Sequence, residues 1–193
     1  MVQSDEAIKG LLDERLTAIE SQFEADAVSY LGPIHPGLIK LFRDQIEKLK
    51  LVDSPNDRLV ILLGSPGGSA EIVEKLVEII RWHYKEVYFI VPDEAMSAGT
   101  IFCMSGDKIY MDYSSSLGPI DPQIHNGTTW VPARGYLDEI KELRKKALDK
   151  TITNAEIAVW QSQDLAFLNL CEQQGNLTVT LLKKWLVEYK FCN

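Results

Sequence analysis

The sequence predicts an α/β protein with a mostly parallel sheet and helices at both ends. Three observations carry that expectation. The segment "RLVILLG" (58–64) is a continuous apolar run of strand length, the pattern of a strand buried on both faces. Strand-like and helix-like segments alternate across residues 27–112, which calls for right-handed βαβ crossovers. Helical periodicity lies on either side of that stretch, in residues 5–24 and beyond Thr153.

The elements follow in order. Ile8, Leu12, Leu16, Ile19 and Phe23 recur at 3.6-like spacing, so residues 5–24 read as an amphipathic helix with an acidic far face. "AVSYLGPI" (27–34) reads as a short strand ended by Gly-Pro. "PGLIKLFRDQIEKL" follows, with Leu38, Leu41, Phe42, Gln45, Ile46 and Leu49 on one helical side. After the 58–64 strand, "SPGG" breaks the pattern. Ser69 then caps a helix with a wide stripe of Ile72, Val73, Leu76, Val77, Ile79 and Ile80. "VYFIV" (87–91) and "KIYMD" (108–112) are the next strands, separated by the helix-sized "SAGTIFCMSG". Residues 113–135 are rich in Gly, Pro and Ser and too long for a plain connector. A charged helix over 136–150 comes next, where Leu137, Ile140, Arg144 and Leu148 form a stripe with Lys141 inside it. Thr153 and Glu156 form a capping box ahead of "IAVWQSQDLAFLNLCEQQ"; Gly175-Asn176 is expected to end that helix before a last one in "TVTLLKKWLVEYK". The expected organisation is an N-terminal helix (1–26), a core (27–150) and a C-terminal helical appendage (151–193). The chain stops directly after a helical pattern, an ending compatible with a longer natural protein.

A length of 193 residues with 46% hydrophobic and 25% charged residues supports one cored domain. The net charge of −8 argues against nucleic acid or an anionic membrane as the main partner. Cys103, Cys171 and Cys192 show no metal-ligand spacing and read as reduced thiols; no metal or cofactor is expected. No signal peptide and no span of about 18 apolar residues is visible, so a cytoplasmic protein is expected.

In a parallel sheet the carboxyl ends of the strands share one edge, where ligands bind. "GPIH", "SPGG", "PDEAMSAG" and "SSSLGPIDPQ" should therefore meet. Gly67 and Gly68 free the backbone to approach closely, and Ser97 stands at a helix start beside them. The amides of Gly68 and Ala98 are then candidate oxyanion donors for a Ser97 nucleophile. "PGG" alone is ordinarily a turn and "SAG" alone ordinarily helix packing; their joint placement on successive strand ends is the specific signal. His83 falls at the opposite edge and is set aside.

"SPGG", then "AMSAGT" about thirty residues on, then "SGDKIYMD" and "SLGPIDPQ" closely resemble the Clp-fold serine peptidases, and in particular the serine dehydrogenase proteinase family. The resemblance covers roughly residues 27–150. It implies a crotonase-like superhelix of ββα units, Ser97 as nucleophile, an oxyanion hole at Gly67, Gly68 and Ala98, and ring-like homo-oligomers acting on peptides or proteins. The sequence departs from the Clp pattern at the base: "LGPIDPQ" carries Asp121 and no His. A serine needs a base beside it. Lys141 matches the Ser-Lys dyad of signal-peptide-peptidase relatives, in which the Lys sits on the helix after this loop; on the buried side of its helix it would have the lowered pKa that role requires. His125 would complete a Ser97-Asp121-His125 order, and His35 lies at the correct edge. A non-catalytic assembly protein of the same fold and a crotonase-type acyl-CoA enzyme are the rival readings. Ser97 on the donor turn favours the peptidase.

Overall fold

The computed structural model describes residues 2–51, 56–121, 123–125 and 129–191. Two compact units divide the chain, Met1–Pro119 with Leu181–Asn193, and Ile120–Thr180.

The first unit is built on a four-stranded parallel sheet. Its strands are β1 (Asp26–Leu31), β2 (Arg58–Gly64), β3 (Glu86–Val91) and β5 (Lys108–Met111), adjacent in the order β1-β2-β3-β5. The continuous apolar run of β2 has its explanation in burial on both faces. Val60 joins Ala25 and Tyr88 in a cluster packed by Ile19 and Phe23 of α1 (Val2–Phe23). Leu59, Ile61 and Leu63 alternate to the other face and are fully buried. Helices α2 (Leu38–Lys50), α3 (Ala70–His83) and α4 (Ala98–Met104) belong to the same unit. There Phe102 of α4 meets Phe89 of β3 edge-on at 4.9 Å and Phe42 of α2 at 6.2 Å. Ser69 caps α3 by accepting from the Ile72 N–H, as its spacing predicts.

Each long strand is followed by a short extended piece and then, for the first three, by a helix. Ile34 bridges Gly68, Ser65 bridges Ala95, and β4 (Glu94–Ala95) pairs in parallel with β6 (Ser116–Leu117). Long strand, short strand and helix thus repeat as ββα units, and the expected fold class is the one observed. The two-residue strands are too short to leave a periodic pattern in the sequence.

Other expectations are corrected. The first helix presents an apolar stripe, but Ile8, Leu11 and Leu12 are 57–60% exposed; only its second half is covered. On α2, Leu38, Phe42 and Ile46 are buried, whereas Leu41 is exposed. In the second unit, β7 (Gln123–His125) pairs antiparallel with β8 (Trp130–Pro132), and α5 spans Ala133–Leu148. The capping box at Thr153 and Glu156 is present and starts α6 (Asn154–Gln161). The helix then breaks at Ser162–Asp164. Asp164 starts α7 (Leu165–Trp185) by accepting from the Ala166 and Phe167 amides at 2.8 and 3.4 Å. Gly175-Asn176 does not end a helix: α7 runs through it. One glycine costs a helix only about 1 kcal/mol relative to alanine, and no Pro or left-handed residue follows to stop it. A short π-helical segment, Leu186–Lys190, ends the described chain in the first unit.

Candidate active site

The carboxyl ends of the strands are stitched sideways by backbone hydrogen bonds. The Ile34 N–H donates to the Gly67 carbonyl at 2.8 Å, and the Ser69 N–H returns to Ile34 at 3.0 Å. The Ser65 N–H donates to Glu94, and Met96 donates back to Ser65 at 2.8 Å. Ser116 and Gly118 donate to Asp93 and Ala95. Inside this seam the Thr100 hydroxyl is buried. It donates to the Ala95 carbonyl at 2.7 Å and accepts from the Gly118 N–H at 3.1 Å. The four segments expected to converge do so.

Ser97 occupies a backbone conformation that side chains avoid, φ 50° and ψ −114°. The Gly99 N–H donates to the Met96 carbonyl at 2.8 Å, closing a four-residue turn with Ser97 at its second position. These are the angles of a type II′ turn, where glycine is the usual occupant. Holding a serine there costs about 1–3 kcal/mol, strain that persists only when its surroundings enforce it. The turn lifts Ser97 to the start of α4, where it is partly exposed and its side chain makes no cap hydrogen bond.

Gly67 lies directly against this turn. A Cβ placed on it would stand 2.9 Å from Ser97 Cβ and 2.9 Å from the Met96 carbonyl oxygen, and its φ is +106°. Both facts require glycine. Gly68 has φ +147°, and a Cβ there would strike the Ile34 carbonyl. Its side-chain position therefore faces the neighbouring strand. The two amides differ. The Gly67 N–H donates to Ser65 Oγ at 3.1 Å. The Gly68 N–H donates to no backbone carbonyl among the described residues, and neither does that of Ala98. The Gly67 carbonyl is held by Ile34, so trans peptide geometry turns the Gly68 N–H away from Ile34. The Ser97 carbonyl accepts from Ile101 at 3.1 Å along α4, which by the same geometry points the Ala98 N–H off the helix end.

The candidate bases have different fates. His35 is exposed and accepts from the Gly37 N–H through Nδ1 at 3.1 Å, a contact within its own loop. His83 is the last residue of α3, three residues before β3 begins, and so lies at the opposite edge. Asp121, His125 and Lys141 belong to the second unit. His125 is placed by its backbone in β7 opposite Trp130; its side chain lies outside the described residues. Asp121 is exposed and lines, with Lys141, Leu137 and Cys171, a cleft in that unit.

Lys141 is not on the buried side of its helix. Its side chain is 67% exposed and pairs with Asp138 at 3.4 Å. The covered face of α5 runs through Ala133, Tyr136, Leu137, Ile140, Leu143 and Ala147, while Arg144 and Leu148 are exposed. At about 100° per residue, Lys141 falls roughly 105° from the centre of that face. The stripe drawn through Leu137, Ile140, Arg144 and Leu148 has the right period and the wrong phase.

Sequence reading passed over Ser65, whose Oγ accepts from the Gly67 turn, and Thr100, whose hydroxyl ties Ala95 to Gly118. The available signal was a hydroxyl two residues before Gly67, a spacing that forms side chain-to-backbone turns.

A family model described as ClpP-like SDH-type serine proteinase matches residues 16–192. Two uncharacterized proteins of Methanocaldococcus jannaschii are similar. MJ0137 is 31% identical over 70% of this chain and 48% of its own length. MJ1495 is 27% identical over 78% of this chain and 52% of its own. The chain thus spans about half the length of the curated relatives it matches. Among solved structures, a membrane-bound stomatin-specific protease in complex with a substrate peptide aligns with TM-score 0.48 and 22% identity over 62% of this chain and 58% of that one. A second structure of a protease so described aligns with TM-score 0.49 and 16% identity, covering 84% and 74%. With the family model covering nearly all of it, the chain belongs to the ClpP-like SDH-type serine proteinases.

Proposed function

We propose that this chain is a serine peptidase working through a Ser97 acyl-enzyme. The observation that carries the reading is the Ser97 turn, held in a glycine-like conformation against Gly67 with the Gly68 and Ala98 amides unclaimed by backbone carbonyls. Ser97 Oγ attacks the peptide carbonyl and its proton passes to a base. The tetrahedral oxyanion accepts from the Gly68 and Ala98 N–H groups. Collapse breaks the C–N bond, and the amine leaves with the proton from the base. Water, deprotonated by the same base, then hydrolyses the ester. Removing one oxyanion donor in such a site costs about 10²–10³ in rate. Gly67 supplies room and not a donor, its N–H being engaged by Ser65.

Lys141 is the base we favour over His125, on the helix that follows the loop carrying Asp121 and sharing a cleft with it. The order Ser97-Asp121-His125 is the competing assignment. Peptides or proteins are the substrates, and a homo-oligomer is the working form, for which the exposed apolar start of α1 offers surface. No helix among the described residues is long and apolar enough to cross a membrane.

One observation favours a second reading, a non-catalytic assembly protein: Lys141 is exposed and ion-paired, whereas a lysine base acts deprotonated. A fluorophosphonate probe decides. The peptidase labels at Ser97 and loses labelling in Ser97→Ala; the assembly protein does not label. An acyl-CoA enzyme of the crotonase type would turn over thioesters equally well with and without the serine.

A further inference from the structure

We infer that Ser65 is the positioning residue of the oxyanion turn, holding Pro66-Gly67-Gly68 in the orientation that leaves the Gly68 N–H free. This rests on the reading of Ser97 as nucleophile. Ser65 is 2% exposed and sits beneath both turns of the site. Its Oγ accepts from the Gly67 N–H at 3.1 Å. Its main chain donates to Glu94 at 2.9 Å and accepts from Met96 at 2.8 Å, the residue before the nucleophile. A Cβ on Gly99 would stand 3.2 Å from Ser65 Cβ, so Ser65 also packs under the first turn of α4.

Two consecutive glycines are the reason such a residue is needed. Glycine accepts positive and negative φ about equally, so a Pro-Gly-Gly turn has little intrinsic preference for which amide faces outward. Ile34 fixes one peptide by donating to the Gly67 carbonyl at 2.8 Å. Ser65 fixes the preceding one by accepting the Gly67 N–H. Without the hydroxyl the Gly67 N–H has lost its acceptor in a buried position, and the turn relaxes by rotating that peptide. That rotation twists the chain at Gly67 Cα and leaves the Ile34 bond to the Gly67 carbonyl as the remaining hold on the peptide that bears the Gly68 N–H. A hydroxyl bonding two residues ahead is also a common turn stabiliser. The two roles separate in kinetics: a turn stabiliser moves only the melting temperature, whereas a positioning residue moves kcat and the affinity for tetrahedral mimics.

The test compares the parent chain with Ser65→Ala and Ser65→Cys, whose sulfur is a weak acceptor. By NMR hydrogen exchange, the Gly67 amide is protected in the parent and exchanges at least about tenfold faster in Ser65→Ala. On an activated peptide ester, kcat falls about 10–100-fold while KM stays within about twofold, because the donors act on the transition state. Inhibition by a peptide aldehyde, which adds to Ser97 and places an oxyanion among the donors, weakens by the same factor as kcat/KM. Ser65→Cys falls between. A freely exchanging Gly67 amide in the parent overturns the inference. So does a Ser65→Ala chain that melts lower yet keeps its kcat and aldehyde affinity, and so does loss of the fold in both variants, which makes Ser65 structural. A parent that neither cleaves the ester nor reacts with fluorophosphonate refutes the Ser97 reading and the catalytic part of this one with it. A protected Gly67 amide in that inactive chain would show the Ser65 contact intact, so the two failures are told apart.

Discussion

Exchanging Ser97 for glycine and for alanine should separate the chemistry of its side chain from the strain in its backbone. Both variants lose the hydroxyl, so both should lose fluorophosphonate labelling and hydrolysis. Their stabilities should differ. Alanine keeps a Cβ and so keeps the cost of φ 50° and ψ −114°, about 1–3 kcal/mol. Glycine removes that cost, because both signs of φ are open to it. Against this stands the greater freedom of glycine in the unfolded chain, about 0.4–1 kcal/mol. Taking the middle of each range, Ser97→Gly should exceed Ser97→Ala by about 1 kcal/mol. For a chain of this size that is roughly 2–4 °C in melting temperature. Differential scanning calorimetry on the two purified variants reads it directly. An alanine variant as stable as the glycine variant, or more so, would refute the claim that the nucleophile turn is strained, whatever the activities.

The other expectations are simpler. Gly67→Ala places a Cβ 2.9 Å from the Met96 oxygen and Ser97 Cβ at φ +106°; strain and overpacking together should cost about 2–4 kcal/mol by urea unfolding, and kcat/KM should drop by at least about 10²-fold. Gly68→Val points its side chain at the Ile34 carbonyl, so it should destabilise the fold more than Gly67→Ala; normal turnover and stability would reduce the pair to an ordinary turn. Lys141→Met should abolish ester hydrolysis in a folded chain whose parent activity keeps rising through pH ~7–8, whereas loss in His125→Asn with a plateau near pH ~6.5 would assign the base to the histidine. Light scattering at micromolar concentration should give a mass above the 21.8 kDa of one chain; a monomer would remove the assembly role assigned to α1.

The parts of the fold legible in the sequence are those where local chemistry and burial agree. Within β2, residues 59–63 are apolar throughout because both faces of the strand are covered, by α1 on one side and by the opposite core on the other. Ser69 and the Thr153-Glu156 pair act within one turn, so the cap is visible in the letters. Periodicity gives the pitch of a stripe and not what covers it. On α1 the apolar spacing continues through Ile8 and Leu12, yet both side chains are exposed. On α5 two residues mislead the phase: a stripe through Arg144 and Leu148 in place of Leu143 and Ala147 is rotated so that it carries Lys141 inward. Gly175 shows the converse. A helix 21 residues long tolerates one glycine that an isolated reading takes as its end.

The site divides along the same line. The Ser97 turn and the Gly67-Gly68 turn are contiguous stretches at the ends of neighbouring parallel strands, and parallel pairing alone brings them together. Gly67 against Ser97 could therefore be expected before any coordinates. Gly68 and Ala98 could be named as candidate donors from their positions alone, but the engagement of the Gly67 N–H by Ser65 Oγ and of the Gly67 carbonyl by the Ile34 N–H could not be read from two glycines that look identical in the letters. The base is a harder case for a related reason. The Ser97 turn holds its own strain within four residues, Met96 to Gly99. A base reaches the same atom from an element over twenty residues away, where a single-residue error in helical phase moves a side chain by about 100°. Lys141, His125 and Asp121 all lie in a unit that shares no strand with the parallel sheet. Strand order, which fixed the meeting of Gly67 and Ser97, does not reach them. The paired Lys141→Met and His125→Asn pH profiles are the measurement that assigns the base.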